Sequence, residues 1–345
     1  MKIRICGRYK IEKDTDLKMN AILSRFEFAG HIPTFDNSFE RIVSFDFARE
    51  NIPMLREASR LGIPRILVRE ESDTVYPEQF TSQVESLFSQ VVNLGLVTEI
   101  YNGITLNFPY LPYGNHHEPS SVEIYDFDVG VRSQKQNLSR DWNMRDHDLV
   151  FVGSNKIVYD NTLYDLRRKV LQNLGANVEI YGLYWRRSEL DKYVYLSKFI
   201  WHALRTRQAI PFNSVKNYLV YKAPDVKSVI QDKLLLLRNS KFNLIVENSN
   251  NFMTEKIFDA LVSGCIQIYL NSHKITKEKM RECVIEVDLN QSIENVCIQI
   301  LESIRENQYK RLESGFRFLH SKEFKDGYMM SAVIDKLIKI VEESP

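Results

Sequence analysis

In residues 239–271, NSKFNLIVENSNNFMTEKIFDALVSGCIQIYLN, two apolar runs flank a polar loop and a helical stretch. Few arrangements other than a layered α/β fold accommodate that order. Lys241–Val246 is apolar nearly throughout, as a parallel strand covered on both faces tends to be. Ile257, Ala260, Leu261 and Gly264 follow at helical spacing, and Cys265–Leu270 reads as the next strand. The unit is βαβ. Its polar residues fall at the carboxyl end of the first strand, where open parallel sheets hold their ligands.

The loop has chemistry of its own. Thr254 is suited to the N-cap, because its hydroxyl can accept a bond from an unpaired amide of the first turn. The helix it opens points its positive end back at the loop, a natural place for a diphosphate. Lys256, in that first turn, is misplaced for stability because cations are disfavoured there, and a bound anion would resolve the conflict. Glu255 has two readings: a first-turn carboxylate suits the helix dipole, and an acidic residue can accept ribose hydroxyls.

These residues also carry a family resemblance. Phe242-Asn243-Leu244, then Glu247-Asn248-Ser249, then Thr254-Glu255-Lys256 and an apolar helix resemble the donor site of the family-ten glycosyltransferases, the α-1,3/4-fucosyltransferases that use GDP-fucose. The family commonly has Tyr two positions before the Thr, where this chain has Phe252. A second block agrees. Leu149–Asn155 is a strand running into a Ser154-Asn155 turn, Tyr164–Leu174 is a helix, and Val178–Gly182 is a second strand. The family has a similar turn followed by an Arg on the next helix, and Arg167 falls at the matching place, with Arg168 the alternative. The resemblance implies that this guanidinium grips the diphosphate and stabilises the departing GDP. By charge pattern alone, Arg167, Arg168 and Lys169 read as a solvated helix face. Tyr221–Pro224 and Lys233–Leu237 also resemble the family's approach to the donor strand.

The N-terminal part has the same rhythm. Lys2–Gly7, Arg41–Phe47 and Pro64–Val68 read as strands, with Leu17–Ala29 and Pro53–Leu61 as helices, which implies a parallel sheet. The last strand ends in Arg69-Glu70-Glu71-Ser72. The family places a Glu-Ser pair there and uses that Glu as catalytic base, which assigns the role to Glu71, with Glu70 the alternative. Adjacent acids are also common on solvated surfaces; pairing would raise one pKa toward that of a useful base.

The implied fold is α/β of the GT-B type: two Rossmann-like domains facing each other across a cleft. Residues 1–145 would bind acceptor, and residues 146–345 would bind the GDP-sugar, with a boundary in the polar stretch Arg132–Arg145. Ser331–Glu343 carries Val333, Ile334, Leu337, Ile338 and Val341 at helical spacing, a helix expected to cross back over the junction. The implied reaction is inverting transfer of a sugar, L-fucose in the family, onto a hydroxyl of a glycan acceptor of the surface-polysaccharide or lipopolysaccharide type. It requires no cofactor and no metal. Two alternatives stay open: a GT-B enzyme using another nucleotide sugar, and a catalytically silent nucleotide-sugar-binding protein.

The composition bounds the rest. At 345 residues the chain accommodates two domains, and with 44% hydrophobic and 26% charged residues it is typical of globular proteins. A formal net charge of +1 gives no reason to expect nucleic acid. Met1–Cys6 goes straight into a strand, so no leader peptide is expected, and no apolar run reaches the roughly 18 residues of a membrane span. Cys6, Cys265, Cys283 and Cys297 lack paired spacing and read as buried thiols in a reducing, cytoplasmic compartment. Residues 185–207 interleave aromatics with Arg186, Arg187, Lys192, Lys198, Arg205 and Arg207. They read either as a helical hairpin covering the sheet or as a peripheral contact with an anionic bilayer, which would suit a lipid-linked acceptor. Asp126-Phe127-Asp128 has the form of a metal-binding motif, but Asp146-His147-Asp148 and Asp14-Thr15-Asp16 show how readily that form arises. His116-His117-Glu118 lacks the spacing of a helical metal site. Asn107–Tyr110 is expected at the acceptor.

Overall fold

The computed structural model describes residues 1–8, 17–36, 38–97, 101–109, 142–158, 162–185, 189–206, 209–221, 226–228, 232–270, 275, 278–306 and 308–344. Asp126–Asp128, His116–Glu118, Tyr110, Lys222–Pro224 and most of Arg132–Arg145 lie outside these residues. The chain divides into two compact units.

The first unit comprises Met1–Pro119, Asn251–Glu255 and Ser321–Pro345. Its strands are β1 (Lys2–Gly7), β2 (Ile32–Thr34), β3 (Arg41–Phe45), β4 (Arg65–Arg69), β5 (Gln90–Leu94) and β6 (Ile104–Leu106). They form one sheet in the order β2-β1-β3-β4-β5-β6, all parallel. The near-continuous apolar runs are explained by burial on both faces. Ile3, Ile5, Val43, Phe45, Ile66 and Val68 enter one core, while Cys6, Ile42 and Leu67 enter the other. The helix Met330–Glu343 buries Val333, Ile334, Leu337, Ile338 and Val341 in the first of these cores. Each such side chain contributes up to about 1.5–3 kcal/mol, so the C-terminal residues are an integral layer of this unit. Sheet order reverses between β1 and β3, since β2 lies on one side of β1 and every later strand on the other. Gly7 permits the close approach there, because a Cβ would stand 2.2 Å from the Phe45 carbonyl oxygen.

The strand expected over 41–47 stops at Phe45. Asp46 takes φ 55°, a left-handed turn that leaves the ladder.

The second unit comprises Ser120–Asn250 and Lys256–His320. Its strands are β7 (His147–Val152), β8 (Glu179–Tyr181), β9 (Val226–Ser228), β10 (Ser240–Val246), β11 (Ile266–Leu270) and β12 (Val284–Glu286). The order is β12-β11-β10-β7-β8-β9, again all parallel, with the reversal between β7 and β10. Helices Thr162–Leu174 and Ile293–Arg305 place Leu163, Val170, Leu171, Leu174, Val296 and Ile300 against Phe151, Phe242, Leu244 and Ile268. Val150, Tyr181, Leu237, Ala260 and Cys265 form the core of the opposite face.

Among the described residues of 185–207 there is no hairpin. One 18-residue helix, Glu189–Thr206, precedes a separate helix, Phe212–Val220. Its aromatics divide. Trp185 is buried and the Tyr195 hydroxyl accepts from the Ile157 amide at 3.1 Å, whereas Tyr193 and Trp201 are 59% and 69% exposed. All four cysteines are buried and free of disulfides, and burial pushes the Cys6 thiol up to about 11 and Cys265 to about 12. Among the described residues no helix is long and apolar enough to cross a membrane.

Candidate functional site

At the reversal of the second sheet, β7 runs out into Ser154-Asn155 and β10 into Glu247-Asn248-Ser249. Arg167, on the helix Thr162–Leu174, ties the two ends together. Its Nη1 donates to the Ser154 carbonyl at 3.1 Å. Its Nη2 donates to the carbonyls of Val246 at 2.8 Å and Glu247 at 3.3 Å, and to Asn248 Oδ1 at 3.3 Å. The side chain is 2% exposed, its guanidinium lies 4.2 Å from the Tyr164 ring centroid, and its buried Nε meets no acceptor. Among the described residues no carboxylate pairs with it. The guanidinium is thus held by carbonyls, an amide oxygen and an aromatic face, all neutral, at the place where α/β sheets bind ligands.

The neighbouring arginine differs. Arg168 donates from Nε to Asn155 Oδ1, from Nη1 to Asp165 Oδ1 and from Nη2 to the Lys156 carbonyl, each at 2.9 Å. It is neutralised by Asp165 and fixes the Ser154-Asn155 turn. The solvated helix face read from the charge run is therefore corrected: Arg167 and Arg168 are both buried and only Lys169 is exposed.

Lys256 is the first residue of the helix Lys256–Val262. Its Nζ lies 2.9 Å from Glu247 Oε2, the carboxylate being fully buried and the lysine 16% exposed. The conflict with the helix dipole is thus relieved by the protein's own carboxylate. Thr254 stands one position before the cap, and at 7 residues the helix contributes a short dipole. Fixed positive charge in this region resides on side chains, Arg167 first.

The signature is split between the units, with Glu247, Asn248, Ser249 and Lys256 in the second and residues 251–255 in the first. Within the first unit Val97 N donates to the Asn251 carbonyl and Met253 N to the Gly95 carbonyl, both at 2.8 Å. Asn251 Nδ2 donates to Asp73 Oδ2 at 2.9 Å. Gly95 makes this possible: its φ is 74°, and a Cβ would stand 2.3 Å from the Met253 carbonyl oxygen. Phe252 is 2% exposed and meets Phe80 edge-on at 5.8 Å. It is a packing residue here, and a hydroxyl in its place would need a buried partner.

The carboxyl ends of β3 and β4 gather acids. Glu70 Oε1 is 2.7 Å from Lys18 Nζ, with both side chains mostly buried. Burial alone would lower the Lys18 pKa, but Glu70, aided by Glu255 and Asp46, raises it. Glu71 is half-buried, and among the described residues its carboxylate has no ion pair. Its carbonyl accepts from Gln79 Nε2 at 2.9 Å. Asp46 Oδ1 accepts from the Glu70 amide at 2.9 Å and the Glu71 amide at 3.2 Å. Desolvation first, then Glu70 and Glu71, push the Asp46 carboxyl up to about 7. Glu70 is therefore committed to a lysine, whereas Glu71 is not. Asp46 was not read from sequence as a site residue, although it too is a carboxylate directly after an apolar strand. Asn107, expected near an acceptor, donates from Nδ2 to the Gly327 carbonyl at 2.8 Å. Among the described residues no group of three or more His, Cys, Asp or Glu is arranged to hold a metal ion.

No protein-family model matches the chain, and no curated protein matches it in sequence. Solved structures do match. An α1,3-fucosyltransferase with GDP superposes with TM-score 0.55 at 14% identity, over 100% of this chain and 91% of that one. HepE of Anabaena in complex with UDP-glucose superposes with TM-score 0.56 at 8% identity, over 99% of each chain. A glycosyltransferase from Rickettsia africae gives TM-score 0.52 at 10% identity, over 99% of this chain and 98% of that one. The likeness is one of fold: the two parallel six-stranded sheets with their helices are those of GT-B glycosyltransferases.

Proposed function

We propose that the protein is an inverting glycosyltransferase that moves a sugar, L-fucose from GDP-fucose, onto a hydroxyl of a glycan acceptor of the surface-polysaccharide or lipopolysaccharide type. The observation that carries the reading is Arg167, a buried guanidinium with neutral partners at the strand reversal of the second unit. Leaving a buried cation without a counter-charge costs several kcal/mol, so such a centre suits an anionic ligand such as a nucleotide diphosphate. Resemblance of Glu247–Lys256 to the GDP-fucose signature narrows the ligand to a GDP-sugar.

In the proposed step Glu71 accepts the proton of the acceptor hydroxyl as that oxygen bonds the anomeric carbon. The bond from the anomeric carbon to the diphosphate breaks, with inversion. Arg167 and Lys256 stabilise the charge that GDP carries away. Ser154, Asn155, Asn248 and Ser249 line the donor side, and Glu255 is assigned to the donor sugar or ribose. The scheme asks for no metal, since side-chain cations supply the positive charge. Glu71 is preferred to Glu70 because Lys18 holds Glu70 as a salt bridge.

A second reading, a different nucleotide sugar, is favoured by Phe252: its ring is interior, so the tyrosine contact of the family pattern has no counterpart here. Calorimetry with GDP, GDP-fucose, GDP-mannose and UDP-glucose tests both. Guanine nucleotides are expected to bind at least about tenfold tighter than UDP-glucose, about 1.4 kcal/mol. Equal affinities would sink the GDP assignment, and binding without GDP release in the presence of glycan acceptors would leave a silent binding protein.

The four thiols, free of disulfides, suit a cytoplasmic protein. A peripheral membrane contact through 185–207 is supported by Tyr193, Val194, Trp201 and Leu204, all more than half exposed on one helix. Co-sedimentation with anionic but not neutral vesicles, lost in Trp201→Ala, is the expected outcome.

A further inference from the structure

Asp46 is costly to the fold as it stands. It follows β3 directly at the strand reversal of the first unit, where ligands collect in open sheets. It is 2% exposed and its φ is 55°, a conformation that non-glycine residues adopt at a cost. The surroundings over-determine that conformation. Asp46 N donates to the Val68 carbonyl at 2.8 Å, the Ser44 hydroxyl donates to the Asp46 carbonyl at 2.7 Å, and Oδ1 takes two further amides.

Those two amides belong to Glu70 and Glu71. Gln79, itself fully buried, reinforces the same junction: Nε2 donates to the Glu71 carbonyl and Oε1 accepts from the Phe47 amide at 3.3 Å. An asparagine would tolerate the positive φ equally well and could accept both amides through its own oxygen. It would avoid burying a carboxylate beside two others. The negative charge is therefore a costly way to seat this turn: what it adds over an amide is charge-assisted bonding to the two amides and a titratable group beside Glu71.

We propose that Asp46 is a positioning residue for the base: its carboxylate seats the Glu70-Glu71 turn and tunes, by its own ionisation, how firmly Glu71 is held. The inference rests on the assignment of Glu71 above. Ionised Asp46 makes charge-assisted bonds to the two amides, and protonated Asp46 makes weaker ones. Its proton is held up to about pH 7 by desolvation and by Glu70 and Glu71, while Lys18, Arg69 and Tyr76 also face it. The seating is thus strong above neutrality and relaxes as pH falls.

The Asp46 pKa rises from 3.8 to about 7 on folding, so between those values the folded state binds more protons than the unfolded state. Stability contributed by this group falls as pH rises through that window, and the cost is fully present above it.

Asp46→Asn and Asp46→Ala in the full chain separate the cases. In carboxyl-13C NMR, the Asp46 signal is identified by its loss in Asp46→Asn and is expected to titrate near neutrality. The Glu71 carboxyl signal is expected to shift in step with that titration, and to lose the step in Asp46→Asn. Asp46→Asn should unfold at a higher temperature than the parent at pH 8, the gain vanishing near pH 4, while Asp46→Ala should lose stability with the turn. With GDP-fucose as donor, kcat for GDP release should drop at least about tenfold in Asp46→Asn with KM within about twofold. A Glu71 signal indifferent to Asp46, or an Asp46→Asn protein less stable than the parent at pH 8, overturns the proposal. Unchanged kcat overturns it as well. If the parent releases no GDP, the transferase reading falls, and the NMR and unfolding arms still decide the role of Asp46.

Discussion

The two units place opposite charges at the same topological position. Each is a parallel six-stranded sheet whose order reverses next to its first strand, and in each the polar residues gather where strands run out. The second unit sets a cation there, Arg167, with Lys256 beside it on Glu247. The first sets acids, Asp46, Glu70 and Glu71, with Lys18 holding one of them. One backbone plan thus carries two charge environments, a buried cation at one strand reversal and clustered carboxylates at the other. The difference lies in what surrounds each charge: Arg167 meets carbonyl and amide oxygens, whereas burial first, then Glu70 and Glu71, push the Asp46 carboxyl up to about 7.

The largest expected effect separates the two acids of the first unit. Glu71→Gln should lower the rate of GDP release with acceptor by about 10²–10⁴-fold at unchanged donor affinity. Glu70→Gln should stay within about tenfold, because Glu70 is held in a salt bridge. Stopped assays of GDP release distinguish them, and equal losses would erase the division of roles.

Lys256→Met tests whether the second unit's pair is a structural unit. It removes the ion-pair partner of the fully buried Glu247 carboxylate, so a loss of about 3–5 kcal/mol is expected in urea unfolding. Adding Glu247→Gln should recover most of that stability without restoring GDP affinity. Recovery of both would mean that Lys256 serves only the fold.

Arg167→Met should weaken GDP by about 2–5 kcal/mol in calorimetry, and Arg167→Lys, which keeps the charge, should regain part of it. Equal weakening in the two variants would place the role in the guanidinium's bonds rather than its charge. At the small end, Lys169→Ala, on the exposed face of the same helix, should change neither GDP affinity nor stability by more than about 0.5 kcal/mol.

Much of this was legible in the chain as written. Alternating apolar runs announced parallel strands, and β1 lies where its residues implied, Lys2–Gly7. Val333, Ile334, Leu337, Ile338 and Val341 announced a helix face that is buried as expected. A carboxylate pair after an apolar strand pointed to Glu70 and Glu71. Periodicity and strand-end chemistry are local, so local pattern suffices for them. The state of each charge was not legible. Arg167 and Arg168 are neighbours of one type in one helix, yet one meets carbonyls 79 and 80 residues away and the other meets Asp165 three residues away. Lys256 looked like a cation awaiting a ligand until Glu247 closed on it. Asp46 looked like the tail of a strand until the turn after β4 delivered two amides from 24 and 25 residues on. The sequence determined which residue types stand at strand ends. Only the tertiary structure decided which are paired, buried or strained, because desolvation and ion pairing depend on neighbours that the fold brings together from distant positions.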